Sequence, residues 1–222
     1  MKKGRKNKGI LREDCDLHPW EKVSLEEYEE HMRYSDVCQL QVLNQIMRRQ
    51  IVSSPFPSLM ILGVAGGNGL EYIQETNVKI VYGVDINETY LKTCQSRFPE
   101  LKDRLRLLCR NVSDIDISLP TADYVIANLF IEYVGIDIFT MQLLKISPLH
   151  VSCVIQKNRE EAFVSQSPYM NSLKEISAIH RDISETELTD SMENIGYRFA
   201  GKEEYCLPGN KSFIQLEYTY QK

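Results

Sequence analysis

The chain has 222 residues, of which 43% are hydrophobic and 26% charged, and a formal net charge of -5. That size and balance suit one ordinary soluble domain with a modest terminal extension, and they exclude wholesale disorder, collagen-like repeats and a fibrous coiled coil. The longest apolar run, Leu59 to Gly67, falls short of the ~18 residues that mark a membrane span.

Residues 1–19 read as a basic flexible tail: Lys2, Lys3, Arg5, Lys6, Lys8 and Arg12 stand without an acid, and no apolar stretch makes them a secretory leader. Set against the chain's net charge, these six cations leave the remainder at -11. An acidic body does not favour a nucleic-acid groove, whose footprint is clustered Lys and Arg. The cysteines Cys15, Cys38, Cys94, Cys109, Cys153 and Cys206 are scattered, with no C-x-x-C pair. They suit reduced thiols in a cytoplasmic protein rather than disulfides or structural zinc. Asp14, Cys15, Asp16 and His18 are possible metal ligands, but they adjoin the tail and no metal site is expected.

Residues 20–54 predict a helical extension or lid. Ser24 with Glu27 reads as a capping box ahead of Leu25, Tyr28 and Met32 at helical spacing. A second helix from about Ser35 aligns Val37, Leu40, Leu43, Met47 and Ile51, and the run Ser53 to Ser58, with Pro55 and Pro57, ends it. From residue 55 the pattern changes to short apolar runs alternating with helix-like segments, which predicts a parallel sheet with crossover helices. Strands are expected at Leu59–Val64, Lys79–Val84, Arg104–Arg110, Asp123–Ala127 and His150–Gln156. Helices are expected at Gly69–Glu75, Glu88–Phe98, Ile136–Ile146 and Glu185–Ile195, the last with Ser184 and Glu187 as a capping box. Residues 159–183 carry no legible period. Tyr197–Cys206 and Ser212–Tyr220, joined by Leu207-Pro208-Gly209-Asn210-Lys211, predict an antiparallel hairpin.

The chemistry concentrates where the first strand runs into Gly63-Val64-Ala65-Gly66-Gly67-Asn68-Gly69. A glycine turn between strand and helix lets a ligand approach the backbone. Sixteen residues beyond Gly69, Asp85 closes the next strand, where a carboxylate can accept hydrogen bonds from both hydroxyls of an adenosine ribose. The dinucleotide pattern G-x-G-x-x-G/A fails, because Leu70, Glu71 and Tyr72 follow. A Walker A loop is excluded by the lack of Gly-Lys-Ser/Thr. The short-chain dehydrogenase spacing is met by Gly63, Gly67 and Gly69, but its Tyr-x-x-x-Lys partner occurs only as Tyr218 with Lys222 at the terminus.

With these residues in place, the chain resembles the class I methyltransferases that use S-adenosylmethionine, over roughly residues 58–220. Gly63 stands where that family often has an acid, and Ala65 stands for its first motif glycine. The resemblance implies an α/β doubly wound, Rossmann-like seven-stranded sheet with an antiparallel C-terminal hairpin. It makes residues 55–222 the cofactor-binding domain and S-adenosylmethionine the cofactor. Gly63, Ala65, Gly66, Gly67 and Gly69 would then cradle it, Asp85 would hold the ribose, and Ile86 would pack on the adenine. Asn111 and Val112 would follow the third strand at the adenine edge, and Asn128 would close the fourth strand at the active-site floor.

Methyl transfer from a sulfonium needs alignment more than protein-borne chemistry, so a general base is optional. Should the acceptor have to lose a proton, the candidates are His31, Glu132, Tyr133, Tyr169 and His180. The Asn/Asp-Pro-Pro-Tyr/Phe signature of exocyclic-amine methyltransferases is missing, since Leu129, Phe130 and Ile131 follow Asn128. No cysteine directly follows a proline, as methylation at base carbon would require. A small-molecule acceptor is therefore expected, with no nucleic acid and no membrane. A sensor or scaffold that keeps the pocket without turnover is the alternative, and an NAD(P)-dependent short-chain dehydrogenase a weaker one.

Overall fold

The computed structural model describes residues 17–158 and 165–221. The basic residues Lys2 to Arg12 and the cluster members Asp14, Cys15 and Asp16 lie outside the described residues. Seven strands form one sheet: β1 (Ser58–Leu62), β2 (Ile80–Asp85), β3 (Leu105–Cys109), β4 (Tyr124–Asn128), β5 (His150–Asn158), β6 (Tyr197–Leu207) and β7 (Lys211–Tyr220). Their order is β3-β2-β1-β4-β5-β7-β6. β1 to β5 are parallel, whereas β7 runs antiparallel to β5 and pairs with β6 as the expected hairpin, with a bulge between Phe199 and Gly201. The order reverses between β1 and β4. The crevice at the carboxyl ends of those two strands is where an open α/β sheet takes its ligand.

The central strands are buried on both faces, which explains their near-continuous apolar sequence. Met60, Leu62, Val125 and Ala127 face Phe139, Leu143 and Ile146 of α6 (Ile136–Ile146) and Leu188 and Met192 of α8 (Glu185–Asn194). Leu59, Ile61 and Ile126 face the other way, onto Met47 and Ile51 of α3 (Gln39–Val52) and Leu91 and Cys94 of α4 (Glu88–Arg97). Among the described residues no helix is long and apolar enough to cross a membrane.

Several local expectations need correction. The Ser24 side chain makes no capping bond; it and Glu27 are exposed, where water competes for the same groups. A capping box forms instead upstream, where His18 N donates to Glu21 (2.9 Å) and Trp20 N donates to His18 Nδ1 (3.3 Å). It starts α1 (Pro19–Lys22), whose first residue lies inside the span assigned to the tail, ahead of α2 (Leu25–Arg33). α3 begins at Gln39 rather than near Ser35, after Cys38 in the left-handed region. Leu70–Glu75 is a 3-10 helix, whose three-residue repeat turns both Leu70 and Ile73 inward. Two short helices have no sequence-based counterpart: α5 (Ile131–Val134), and α7 (Lys174–Ile179) with the 3-10 turn Met170–Leu173 before it.

Candidate functional site

The glycine turn closes on itself and on β2. Gly63 N and Val64 N donate to Val84 O (2.9 and 3.1 Å), and Gly67 N donates to Val64 O (2.9 Å). Gly67 and Gly69 hold φ of +89 and +91. A Cβ at Gly69 would stand 2.5 Å from Met47 Cβ of α3, so this glycine also permits close packing of the extension. Ala65, at the position of the missing motif glycine, keeps the left-handed turn at φ +46. Its N–H donates to Asp85 Oδ2 (2.9 Å), while Asp85 Oδ1 accepts from Asn87 N (2.9 Å). The Asp85 carboxylate thus ties the loop to β2 before any ligand arrives, and its remaining lone pairs border the cavity. Burial pushes its carboxyl upward, opposed by the backbone donors Asn87, Ala65 and Ile86.

Three cavities of about 90, 70 and 30 Å³ meet above the strand ends. The principal one is bordered by Gly63, Ala65, Asp85, Ile86, Asn111, Val112 and Asn128, and by the aromatic side chains of Trp20, Tyr28 and Tyr133. The second lies over the glycine turn and includes Gly66, Asn68, Met32 and Met47. The inner one is walled by Tyr28, His31, Met32, Gln39, Leu129, Tyr133, Gln156, Leu173 and Ile176. Each is smaller than the ~300 Å³ at which ligand pockets begin, because α1 and α2 are strapped across the mouth. Asn87 Nδ2 donates to Trp20 O (2.9 Å), and Tyr90 Oη to Val23 O (2.9 Å). Arg97 forks onto both oxygens of Glu29 (2.5 and 2.8 Å) and also donates to Gly66 O (3.2 Å), tying α2 to α4 and to the glycine turn.

The expected cofactor residues converge, with Gly67 and Gly69 shaping the turn from behind. Asn111 spends its side-chain oxygen on an Asx turn to Ser113 N (3.0 Å). Asn128 turns its amide away from the pocket, onto Gln50 of α3.

The five acid–base candidates separate. Tyr133 and His31 border the inner cavity. His31 Nδ1 lies 2.7 Å from Ser167 Oγ, and burial together with Lys211 lowers its pKa to about 4, so the ring is neutral near pH 7. His180 sits edge-on to Tyr133 (6.0 Å), and neither it nor Tyr169 belongs to the walls of these three cavities.

Glu132 is fully buried behind the inner cavity; Oε1 accepts from Gln156 N (2.9 Å), and Oε2 has no hydrogen-bond partner among the described residues. Burial raises its pKa from 4.5 to about 7, with Asp182 adding to the rise and the Gln156 N–H opposing it. A raised carboxyl pKa contributes stability below pH 4.5 that is lost as the pH climbs through 7. Glu132→Gln, neutral throughout, is expected to gain on the wild type over that interval by roughly 3 kcal/mol and to hold the gain above it. Urea unfolding of both proteins from pH 4.5 to 8.5 measures this, and a pH-independent difference would refute it.

Sequence reasoning missed Trp20 and gave Tyr28 only a place on an apolar stripe. Trp20 packs edge-on against both Tyr28 (5.3 Å, 88°) and Tyr133 (4.9 Å, 85°).

Residues 60–143 match the model of a methyltransferase domain. The magnesium protoporphyrin IX methyltransferase of Synechocystis PCC 6803, solved with bound SAM, superimposes with a TM-score of 0.64 at 12% identity, over 94% of this chain and 100% of that one. A geranyl diphosphate methyltransferase in complex with SAM gives 0.61 at 12% identity, over 88% and 89%. The [4+2]-cyclase SpnF gives 0.60 at 10% identity, over 81% and 80%. No curated protein matches the sequence. The strand order with its antiparallel hairpin and the glycine turn joined to Asp85 give the chain the class I methyltransferase fold, within which residues 60–143 match a methyltransferase domain.

Proposed function

We propose that the chain transfers a methyl group from S-adenosylmethionine to a small molecule held in the inner cavity. The observation that carries this reading is the Asp85 carboxylate, fixed across the glycine turn by Ala65 N–H at the sheet's switch point while its free lone pairs border the cavity.

In this reading Asp85 takes the ribose diol, and Ile86 with Asn111 and Val112 flanks the adenine. The turn from Gly63 to Gly69 receives the methionine chain beside Asn128. The cofactor supplies the activated methyl group, and the protein orients the acceptor and keeps water out. The inner cavity suits a compact acceptor with apolar surface, since Met32, Leu129, Leu173 and Ile176 line it and its polar points are His31, Gln39, Gln156 and the phenols Tyr28 and Tyr133. Of the acid–base candidates that border this cavity, His31, neutral near pH 7, would take a proton from the acceptor, and Tyr133, which burial keeps a neutral phenol, would donate a hydrogen bond to it. Residues 20–54 act as the lid, which has to lift for exchange because the closed cavities are too small to admit a ligand.

Calorimetric titration with S-adenosylmethionine, S-adenosylhomocysteine and NADH tests the cofactor. Saturable binding of the first two alone is expected, and binding of NADH alone, or of none, would sink the reading. Turnover is read afterwards as S-adenosylhomocysteine formed against a panel of small acceptors.

A further inference from the structure

We propose that the aromatic cluster of Trp20, Tyr28 and Tyr133 recognises the positive charge of the cofactor's sulfonium, so that the site distinguishes S-adenosylmethionine from its neutral product. This rests on the cofactor reading above. Tyr28 borders all three cavities. The wall common to the principal cavity and the cavity over the glycine turn consists of Tyr28, Gly63, Ala65 and Asn128, and Tyr28 is its one aromatic ring. With the ribose at Asp85 and the methionine chain along the glycine turn, the sulfur that joins them falls to that shared wall.

The ring faces are what a cation seeks, because the π-system is negative over its face and positive at its edge. The edge-on contacts set the Trp20 ring nearly perpendicular to Tyr28 at 5.3 Å and to Tyr133 at 4.9 Å. Asn87 and Tyr90 hold the backbone of α1 at Trp20 and of Val23 just after it. Tyr28 remains a neutral phenol, since burial and the nearby acids Asp85, Glu29 and Glu132 push its ionisation far upward. Among the described residues Arg110 and His18 are the only basic side chains bordering the principal cavity. Arg110 lies next to Asn111, at the adenine end, and burial lowers the pKa of His18. The cluster therefore faces no competing cation in the middle of the site.

The test is calorimetric titration of the full chain, as wild type, Tyr28→Phe and Tyr28→Leu, with S-adenosylmethionine and S-adenosylhomocysteine at one ionic strength. Tyr28→Leu is expected to weaken S-adenosylmethionine about five- to tenfold while S-adenosylhomocysteine changes less than about twofold. Tyr28→Phe, which keeps the ring, should retain the wild-type ratio. Equal weakening of both ligands by Tyr28→Leu, or an unchanged ratio, overturns the proposal and leaves the cofactor reading standing. A wild type that binds neither ligand overturns both. Trp20→Leu, at the outer side of the cluster, gives the same comparison should Tyr28→Leu fail to fold.

Discussion

Asp85→Ala is expected to weaken S-adenosylmethionine binding at least tenfold and, in the same variant, to lower the stability of the free protein by about 3 kcal/mol. The two losses have separate origins. In the free protein the carboxylate accepts from Ala65 N and Asn87 N, both at 2.9 Å, so removing it leaves two backbone donors without their partner. Each such orphan costs about 1 to 3 kcal/mol, less where water can reach it. Ala65 is the more sensitive end, because its left-handed φ of +46 opposes the preference of a residue with a Cβ and the bond to Asp85 helps hold it there. In the complex the same carboxylate would meet two ribose hydroxyls through charge-assisted bonds, each worth about 1.5 to 3 kcal/mol. Asp85→Asn keeps one oxygen acceptor and should fall between the wild type and Asp85→Ala on both scales. Urea unfolding reads the first loss and calorimetry the second. An Asp85→Ala protein that has lost stability yet binds S-adenosylmethionine as tightly as the wild type would eliminate the ribose role and leave Asp85 a loop tether.

The parts of this molecule that were legible in the sequence are those whose physics is local. The glycine turn and Asp85 announce themselves because strand, turn and terminal acid follow one another within a short stretch, and the alternation of Ile214, Leu216 and Tyr218 marks a strand with one buried face. The aromatic cluster could not be read in this way. Trp20 and Tyr28 meet Tyr133 across more than 100 residues of chain, and on α2 a tyrosine at helical spacing is indistinguishable from an ordinary packing residue. Glu132 likewise looks like a solvent-facing acid after a strand, whereas α5 turns it inward against the backbone of β5. The stripe on α3 was correct in phase but incomplete. Gln39 and Gln50 share its buried side, and their partners Gln156, Asn128 and Ser152 lie on strands far along the chain. A glutamine on a helix reads as exposed until those partners are known.

Gln50→Leu tests that last point, with an expected loss of about 3 kcal/mol although leucine nearly preserves the volume. The glutamine is 4% exposed. Its Nε2 donates to Asn128 Oδ1 (3.0 Å) and to Ser152 Oγ (2.7 Å), and its Oε1 accepts from Asn128 Nδ2 (2.8 Å). Ser152 keeps a bond to Glu217 Oε1 (2.6 Å), and among the described residues the Asn128 side chain retains only the weak acceptor Met47 Sδ (3.1 Å). The orphaned groups therefore belong mainly to Asn128, which borders the principal cavity and the cavity over the glycine turn. With its amide released from α3, Asn128 has a reason to turn toward those cavities, so a fall in S-adenosylmethionine affinity should accompany the loss of stability. The double variant Gln50→Leu/Asn128→Leu removes both partners and should recover much of the deficit left by Gln50→Leu alone, since no buried amide then lacks a partner. Urea unfolding of the two single variants and the double variant closes this cycle. Strictly additive losses would mean that the reciprocal amide pair carries no coupling, and that backbone geometry alone sets the position of Asn128.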